Sequence, residues 1–340
     1  MEQALLRALE KSLLSATIVG AHSAPQFMRF KLRFAEKPQE YFLDDLAFEL
    51  AIDLNLSEKP ALSWEGEILL VELPCKQRRT VELADFSIEK KHGAIVLPLG
   101  EGVDGEKRYF DLCKAPHVWL SGGTGTGKSV LAQAWIATLA KEYAQEVKLV
   151  LIDLKQVEFC DWKNTDLLFQ GLYVDDCPQT LRAFETLLAE MESRYRTFAE
   201  AQVRNLDEYN AQANIPLPKI VVMIDEFTTM RFWGERKLFS YLQMLLQKCR
   251  PAGIYFVMIS QPDFSGDMAQ IMGNVPTRVA FKMFSHGDSR DFLGDAAATA
   301  LLGWGDAIVK LAQGDCVRVQ TPWIAYKERQ ELACEHKILN

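Results

Sequence analysis

A chain of 340 residues, 49% apolar and 25% charged, has ordinary globular composition and is long enough for two domains, which excludes a disordered or fibrous chain. Its formal net charge of −8 excludes a broadly basic face, so any nucleic-acid contact has to be made by loops or by an assembled channel. The seven cysteines form no C-x-x-C pair, which excludes a zinc or dithiol motif and suits a reducing cytoplasm, and no apolar run is long enough to span a membrane.

Residues 1–98 read as a small α+β module. MEQALLRALEKSLL is an amphipathic helix of mixed charge rather than an Arg-rich targeting segment. Two strand-like runs follow in ATIVGAHSAPQFMRFKLRF, separated by a turn at His22 to Pro25. In the second run Phe27, Arg29, Lys31 and Arg33 alternate with Met28, Phe30, Leu32 and Phe34, the period of a strand. A helix over Leu43 to Leu54, a strand over Glu67 to Leu73 and a basic turn at Lys76, Arg78 and Arg79 complete the module. No catalytic constellation is visible in it.

Residues 99–340 read as a second domain of another class. A short apolar strand, His117 to Leu120, runs into GGTGTGKS. Leu131, Trp135 and Leu139 then recur at helical spacing, so this loop opens a helix. KLVLIDLK (148–155), KIVVMIDEF (219–227) and GIYFVMISQ (253–261) are continuous apolar strands. Between the first two, Leu181, Phe184, Leu187, Leu188, Met191, Tyr195 and Phe198 mark a long amphipathic helix. Continuous apolar strands alternating with helices predict an α/β fold with a mainly parallel central sheet flanked by helices.

GGTGTGKS, Gly122 to Ser129, matches the phosphate-loop pattern G-x-x-x-x-G-K-[ST] in full, in the strand–loop–helix context that pattern needs. Successive backbone N–H groups of such a loop cradle phosphate at a helix N-terminus. Gly122, Gly123, Thr124, Gly125, Thr126, Gly127, Lys128, Ser129 and Val130 are therefore the candidate nucleotide contacts. Lys128 would reach the β- and γ-phosphates and the Ser129 hydroxyl would ligate Mg²⁺, which points to ATP with its metal. IVVMIDE, an apolar strand ending in two carboxylates, has the Walker B arrangement: Asp225 for Mg²⁺ through water, Glu226 for the attacking water.

Other polar residues admit two readings each. Gln261, ending its strand, either sits by the γ-phosphate or faces solvent. Arg250, before Pro251, either reaches a neighbouring subunit's γ-phosphate or pairs with a surface carboxylate. Asp153 and Lys155 either line the nucleotide site or cap a loop, and Arg278 and Arg290 either sense nucleotide or neighbour or serve as caps and ion pairs.

Taken together these blocks resemble the motor region of FtsK/SpoIIIE-type DNA translocases, over about residues 10 to 325. APHVWLSGGTGTGKSV, LVLIDLKQVEF, EMESRYRTFAEAQVRNLDEYN, CRPAGIYFVMISQ, NVPTRVAF, SHGDSR and LLGWGDAI follow the family's block order and spacing. The resemblance implies a RecA-like P-loop ATPase working as a homo-hexameric ring, with ATP between subunits and double-stranded DNA through the pore. It implies that Lys128, Glu226, Gln261 and Arg250 are catalytic, Arg250 as an arginine finger in the next subunit's site. It also implies a cytoplasmic motor whose N-terminal residues form the smaller subdomain, lacking the family's membrane-spanning region and its winged-helix domain.

Two departures from the family pattern stand out. The Arg–Pro usual after the glutamine is Pro262–Asp263 here, and DFSGDMAQIMGN (263–274), the expected pore loop, carries Met272 where a lysine is common. Fewer cations there predict a flatter salt dependence of DNA binding. A secretion- or conjugation-type coupling ATPase moving protein or nucleoprotein is the alternative, and a nucleotide-dependent scaffold without turnover is a third.

Overall fold

The computed structural model describes residues 1–12, 14–35, 43–56, 58–75, 78–233, 236–312 and 316–338. The chain divides into two compact units, residues 1–81 with 100–107, and residues 82–99 with 108–340.

In the first unit, β1 (Ala16–Ser23), β2 (Phe27–Phe34), β3 (Ala61–Glu65) and β4 (Ile68–Pro74) form an antiparallel sheet of order β1-β2-β4-β3. Phe30 and Leu32 of β2 face inward with Leu69, Val71 and Leu73 of β4, against α1 (Glu2–Lys11) and α2 (Leu43–Asp53). The period-two pattern of β2 thus has its expected cause: one face of the strand is buried and the other carries charge. Arg29 Nε donates to Glu72 at 2.9 Å. Arg78 pairs with Glu58 at 2.7 Å, and Arg79 pairs with Glu101. Lys76 lies outside the described residues. The strand β3 has no counterpart in the sequence reading: ALSWE shows neither a clean alternation nor an apolar run.

The second unit is built on a ten-stranded sheet of order β6-β5-β14-β13-β12-β7-β11-β10-β8-β9. Its strands are β5 (Val96–Gly102), β6 (Lys107–Asp111), β7 (His117–Ser121), β8 (Val147–Asp153) and β9 (Leu168–Val174), then β10 (Lys219–Asp225), β11 (Ile254–Ser260), β12 (Thr277–Phe281), β13 (Asp306–Lys310) and β14 (Cys316–Gln320). From β12 to β9 the six strands are mutually parallel; β13 and β14 pair antiparallel beyond β12. Every residue of β7, β10 and β11 is buried, as a parallel sheet covered on both faces requires.

On one face lies α3 (Lys128–Tyr143), the helix expected from Leu131, Trp135 and Leu139; twelve of its sixteen residues are buried, so it is a central helix. Its Gln133 accepts Trp162 Nε1 at 2.9 Å, and its Trp135 donates to the Pro98 carbonyl at 2.7 Å. The other face is covered by α4 (Cys177–Glu200) and α6 (Arg236–Lys248). Asp176 caps α4 by accepting the Gln179 N–H at 2.7 Å, with Pro178 in the first turn. Trp119 of β7 is fully buried there, against Phe227, Phe264 and Phe292, and donates to Ser260 at 2.9 Å. This aromatic cluster fixes the strand that carries the phosphate loop against the segments that follow β10, β11 and β12. The remaining helices are α5 (Leu206–Asn210), α7 (Asp267–Gly273), α8 (His286–Leu293) and α9 (Tyr326–Glu335).

Candidate active site

β7 ends at Ser121 and α3 starts at Lys128, so GGTGTG is the whole connection, capped by Gly127. Two of its glycines are imposed by geometry. Gly127 has φ +120, and a β-carbon there would lie 2.8 Å from the Gly305 backbone nitrogen. One at Gly122 would lie 2.7 Å from Phe281 Cβ. The loop closes on itself through Thr126, whose hydroxyl donates to the Gly123 carbonyl at 2.7 Å. Lys128 Nζ lies over the same hollow, donating to the Gly122 and Gly123 carbonyls at 2.8 and 2.7 Å. Burial holds its pKa below the ordinary lysine value, opposed by Glu226 and Asp225. A buried ammonium over a glycine cradle at a helix N-terminus is a built anion site.

The carboxylates face it because of strand order. β11 lies between β7 and β10, so the C-terminal ends of all three open on one edge of the sheet. Asp225 is 5% exposed. Burial first, then Glu158, Asp153 and Glu226, push its carboxyl up to about 7, although Lys155 opposes them. Asp153 is its register partner on β8 and is fully buried. One oxygen of Asp153 accepts the Phe159 N–H at 2.8 Å and the Tyr173 hydroxyl at 3.2 Å; the other has no hydrogen-bond partner. A cation in this edge would relieve that crowding. No group of three or more His, Cys, Asp or Glu among the described residues forms a cage. That fits Mg²⁺, which is held by one or two protein oxygens together with substrate phosphates.

Glu226 is the most constrained group in the site. It sits at φ +50, a left-handed conformation that costs a non-glycine residue on the order of 1 kcal/mol. Its Oε1 accepts the Gln261 N–H at 2.9 Å and the Thr228 hydroxyl at 3.2 Å; its Oε2 accepts Lys155 Nζ at 3.0 Å. Burial would raise its pKa, but the Gln261 N–H and Lys155 hold it below the ordinary value, so the carboxylate is ionised at neutral pH. A fixed, ionised carboxylate beside a buried lysine can orient and deprotonate a water aimed at phosphorus.

Residues 82–297 match the FtsK/SpoIIIE family, more than half of the chain. The chain belongs to the FtsK/SpoIIIE family. It is therefore a P-loop ATPase with the RecA-like fold, as its sheet order and phosphate loop require. Among its relatives, the DNA translocase FtsK of Streptococcus pneumoniae (strain ATCC BAA-255 / R6) is 35% identical over 299 residues, 83% of this chain and 38% of that protein. FtsK of Shewanella oneidensis is 32% identical over 335 residues, covering 86% of this chain and 36% of that protein. The chain thus spans little more than a third of the length of these relatives. The fold is similar to that of the pCW3 conjugation coupling protein TcpA, with TM-score 0.69 and 20% identity over 98% of this chain and 99% of that one. It is also similar to that of the type VII secretion ATPase EccC of Thermomonospora curvata, with TM-score 0.66 and 20% identity, over 76% and 33% of the two chains.

Within the FtsK/SpoIIIE framework the structure brings together Lys128, Asp225, Glu226 and the backbone of Gln261, whose side chain is exposed. It adds Lys155, which spacing alone left open. Lys155 and Glu226 are 71 positions apart, and only the pairing of β8 with β10 puts their strand ends side by side. Arg250 is not brought into this site. It is exposed in the turn before β11, at the opposite end of that seven-residue strand from Gln261, roughly 23 Å away at 3.3 Å per residue.

Several residues of the family blocks hold that turn. Buried Arg194 donates to the Ala252 carbonyl at 2.8 Å and to Glu190 at 2.7 Å. The Leu206 N–H donates to the Pro251 carbonyl at 2.9 Å, and Asn205 caps α5 by accepting the Glu208 N–H at 2.9 Å. Arg278 donates to the carbonyls of Phe292 at 2.7 Å and Met272 at 3.3 Å, tying α7 to α8, while Arg290 is exposed. Asp263 pairs with Arg231 at 2.9 Å. Burial would raise its pKa, but Ser265 and Arg231 hold it down, so one negative charge of residues 263–274 is compensated; this expected loop is helical over Asp267–Gly273, as α7. No helix among the described residues is long and apolar enough to cross a membrane.

Proposed function

We propose that this chain is the motor of an ATP-driven double-stranded DNA translocase, working in the cytoplasm as a homo-hexameric ring with ATP hydrolysed between subunits. The observation that carries the reading is the split of one catalytic set between two ends of β11. Lys128, Asp225, Glu226 and Gln261 cluster at its C-terminal end, while Arg250 stands exposed at its start. A subunit so built completes its neighbour's site and not its own.

The phosphate loop would hold ATP through Gly122 to Val130, with Lys128 leaving its loop carbonyls for the β- and γ-phosphates. Mg²⁺ would be held by the Ser129 hydroxyl and, through water, by Asp225, and would supply neutralising charge at the β- and γ-phosphates. Glu226 takes the proton of the attacking water, and Gln261, whose N–H already fixes Glu226, sits where loss of the γ-phosphate is felt. Arg250 of the adjacent subunit neutralises charge in the transition state. Arg231 compensates Asp263, which would let the 263–274 segment, with α7 at its centre, approach phosphates with its Ser and Gln side chains.

The test is ATP hydrolysis with and without long duplex DNA at low salt, beside the particle mass with and without ATP. Stimulation by duplex DNA together with a six-subunit mass supports the proposal. A ring whose turnover ignores duplex DNA sinks DNA as the track and favours the coupling-ATPase alternative, for which a protein partner retained after nuclease treatment is the positive sign.

A further inference from the structure

The first unit has two outer faces, and neither is an ordinary solvated surface. On α2, Leu46, Ala47 and Leu50 are buried. Phe48 and Ile52 lie four positions apart, so they share one face, and they point away from that core. They are 62% and 65% exposed, and neither joins the cluster that Leu46 and Leu50 form with the sheet. Asp45 and Glu49 stand three positions before them on the adjoining row of the helix, both exposed. The solvent side of a surface helix ordinarily carries polar residues, not an aromatic and an aliphatic side by side.

On the other side of the unit the sheet itself is open. α1 and α2 pack on the face that carries Phe30 and Leu32. The alternate residues of β2, Arg29, Lys31 and Arg33, stand on the opposite face. Arg29 is committed to Glu72. Lys31 approaches Glu65 at 3.9 Å, and Arg33 is exposed. Strand register sets apolar neighbours beside these cations. Leu70 and Ile68 of β4 lie opposite Lys31 and Arg33, both half-buried. Across the other flank Gly20 of β1 lies opposite Lys31, so the face dips there and the lysine stem lines the dip. A β-carbon at Gly20 would lie 3.6 Å from Lys31 Cδ. The sheet edges are less suited to a partner: the pairing of β1 is irregular between Ile18 and Gly20, and β3 has five residues.

The two faces are complementary in shape and charge. One offers bulky apolar side chains flanked by carboxylates; the other offers a shallow, partly apolar dip flanked by cations. They lie on opposite sides of a two-layer unit, so no copy can bring its own two faces together. We propose that they meet between copies of this chain: α2 of one copy seats Phe48 and Ile52 on the open sheet face of the next, with Asp45 and Glu49 against Arg33 and Lys31. Such a contact is head-to-tail; it repeats from copy to copy and closes into a ring when the rotation allows. It rests on the ring proposed above and gives that ring a second junction, within the first unit, that uses neither nucleotide nor Arg250.

The test is the particle mass of the 340-residue chain by sedimentation, over a range of protein concentration with ATPγS present. Asp45→Lys with Glu49→Lys sets like charges across the contact, as does Lys31→Glu with Arg33→Glu. Each double variant should need about tenfold more protein for half-assembly. All four changes in one chain restore opposite charges and should bring assembly back to within about threefold of wild type. Phe48→Ser with Ile52→Ser removes side chains that lie outside the core; it should weaken assembly without lowering the melting temperature. Variants that assemble like wild type, or a four-change variant weaker than either double, overturn the contact and leave the ring to Arg250 alone. So does a Lys31, Arg33 reversal that loses duplex DNA at unchanged mass, which would make the sheet face a nucleic-acid surface. An assembly of other than six subunits that responds to the charge swap keeps the contact and removes the hexamer. Wild type that stays monomeric at every concentration overturns both.

Discussion

Lys155 carries the sharpest prediction about turnover. Its ammonium occupies Glu226 Oε2 at 3.0 Å, while Oε1 is taken by the Gln261 N–H and the Thr228 hydroxyl. Both oxygens of the carboxylate that should receive the water's proton are thus engaged, and Lys155 is the group on Oε2 that can leave without moving backbone. Its side chain is 49% exposed against 10% for Glu226, so the pair is partly screened and contributes about 1 kcal/mol. An interaction of about 1 kcal/mol corresponds to roughly a fivefold preference, which leaves the carboxylate free in about one molecule in six. Lys155→Met should accordingly raise DNA-free kcat about fivefold and shrink the DNA-stimulated ratio by the same factor, with KM for ATP little changed. Lys155→Arg should stay near wild type. The assay is steady-state phosphate release over a range of ATP, with and without duplex DNA. A kcat that falls tenfold or more in Lys155→Met, about 1.4 kcal/mol the other way, would refute the reasoning and assign the ammonium to the phosphates instead.

Three further outcomes follow from the geometry. Gly127→Ala meets both a φ of +120 and the Gly305 backbone, whereas Gly125→Ala meets φ +73 and open space; the first should abolish ATPγS binding, the second cost about 1 kcal/mol or less in stability by thermal melting. His117 accepts the Phe256 N–H on Nδ1 and donates from Nε2 to the Leu246 carbonyl, and burial holds its pKa down to about 4. The stability it contributes is complete above its ordinary pKa and is lost as the pH falls toward 4, so by pH 5 wild type should lose about 2 kcal/mol more than His117→Phe in urea unfolding; equal losses would refute the assignment. Arg250→Ala and Glu226→Gln should each be inactive alone, with ATP binding kept, and should recover turnover when mixed; mixtures as dead as the components would place Arg250 outside any neighbour's site.

What the sequence made legible depended on how local the signal was. GGTGTGKS and IVVMIDE each place their chemistry within a few residues, and the apolar strands around them fix the edge on which they meet. Lys155 is different, because its partner is chosen by the register of β8 on β10, in which Asp153 lies opposite Asp225. Arg278 could be a sensor or a cap from spacing, and only the carbonyls of Met272 and Phe292 settle it as a tie between helices. The strands β6, β9, β13 and β14 went unread for a common reason. Each carries polar residues at positions that are exposed or only partly buried, as in β14, where only Val319 is buried.

The effort the fold devotes to the turn at Arg250 bears on why a ring is the natural reading. Gly253 takes φ +74 with Leu206 packed where a side chain would be, Arg194 is buried to hold the Ala252 carbonyl, and Lys219 pairs with Asp207 at 2.6 Å beneath them. Four elements, α4, α5, β10 and the turn itself, thus immobilise a loop whose outward side chain is an arginine. A surface arginine that merely solvates the protein needs no such support, since exposed charges gain little from a fixed position. One that must meet a transition state does, because a displacement of about 1 Å there costs on the order of a hundredfold in rate. The partner charge lies beyond reach in the same subunit, at the far end of β11. On the function proposed above, the support of this turn and the separation of Arg250 from the phosphate loop would be two aspects of one requirement, met when a second copy of the chain presents its turn to the first copy's loop.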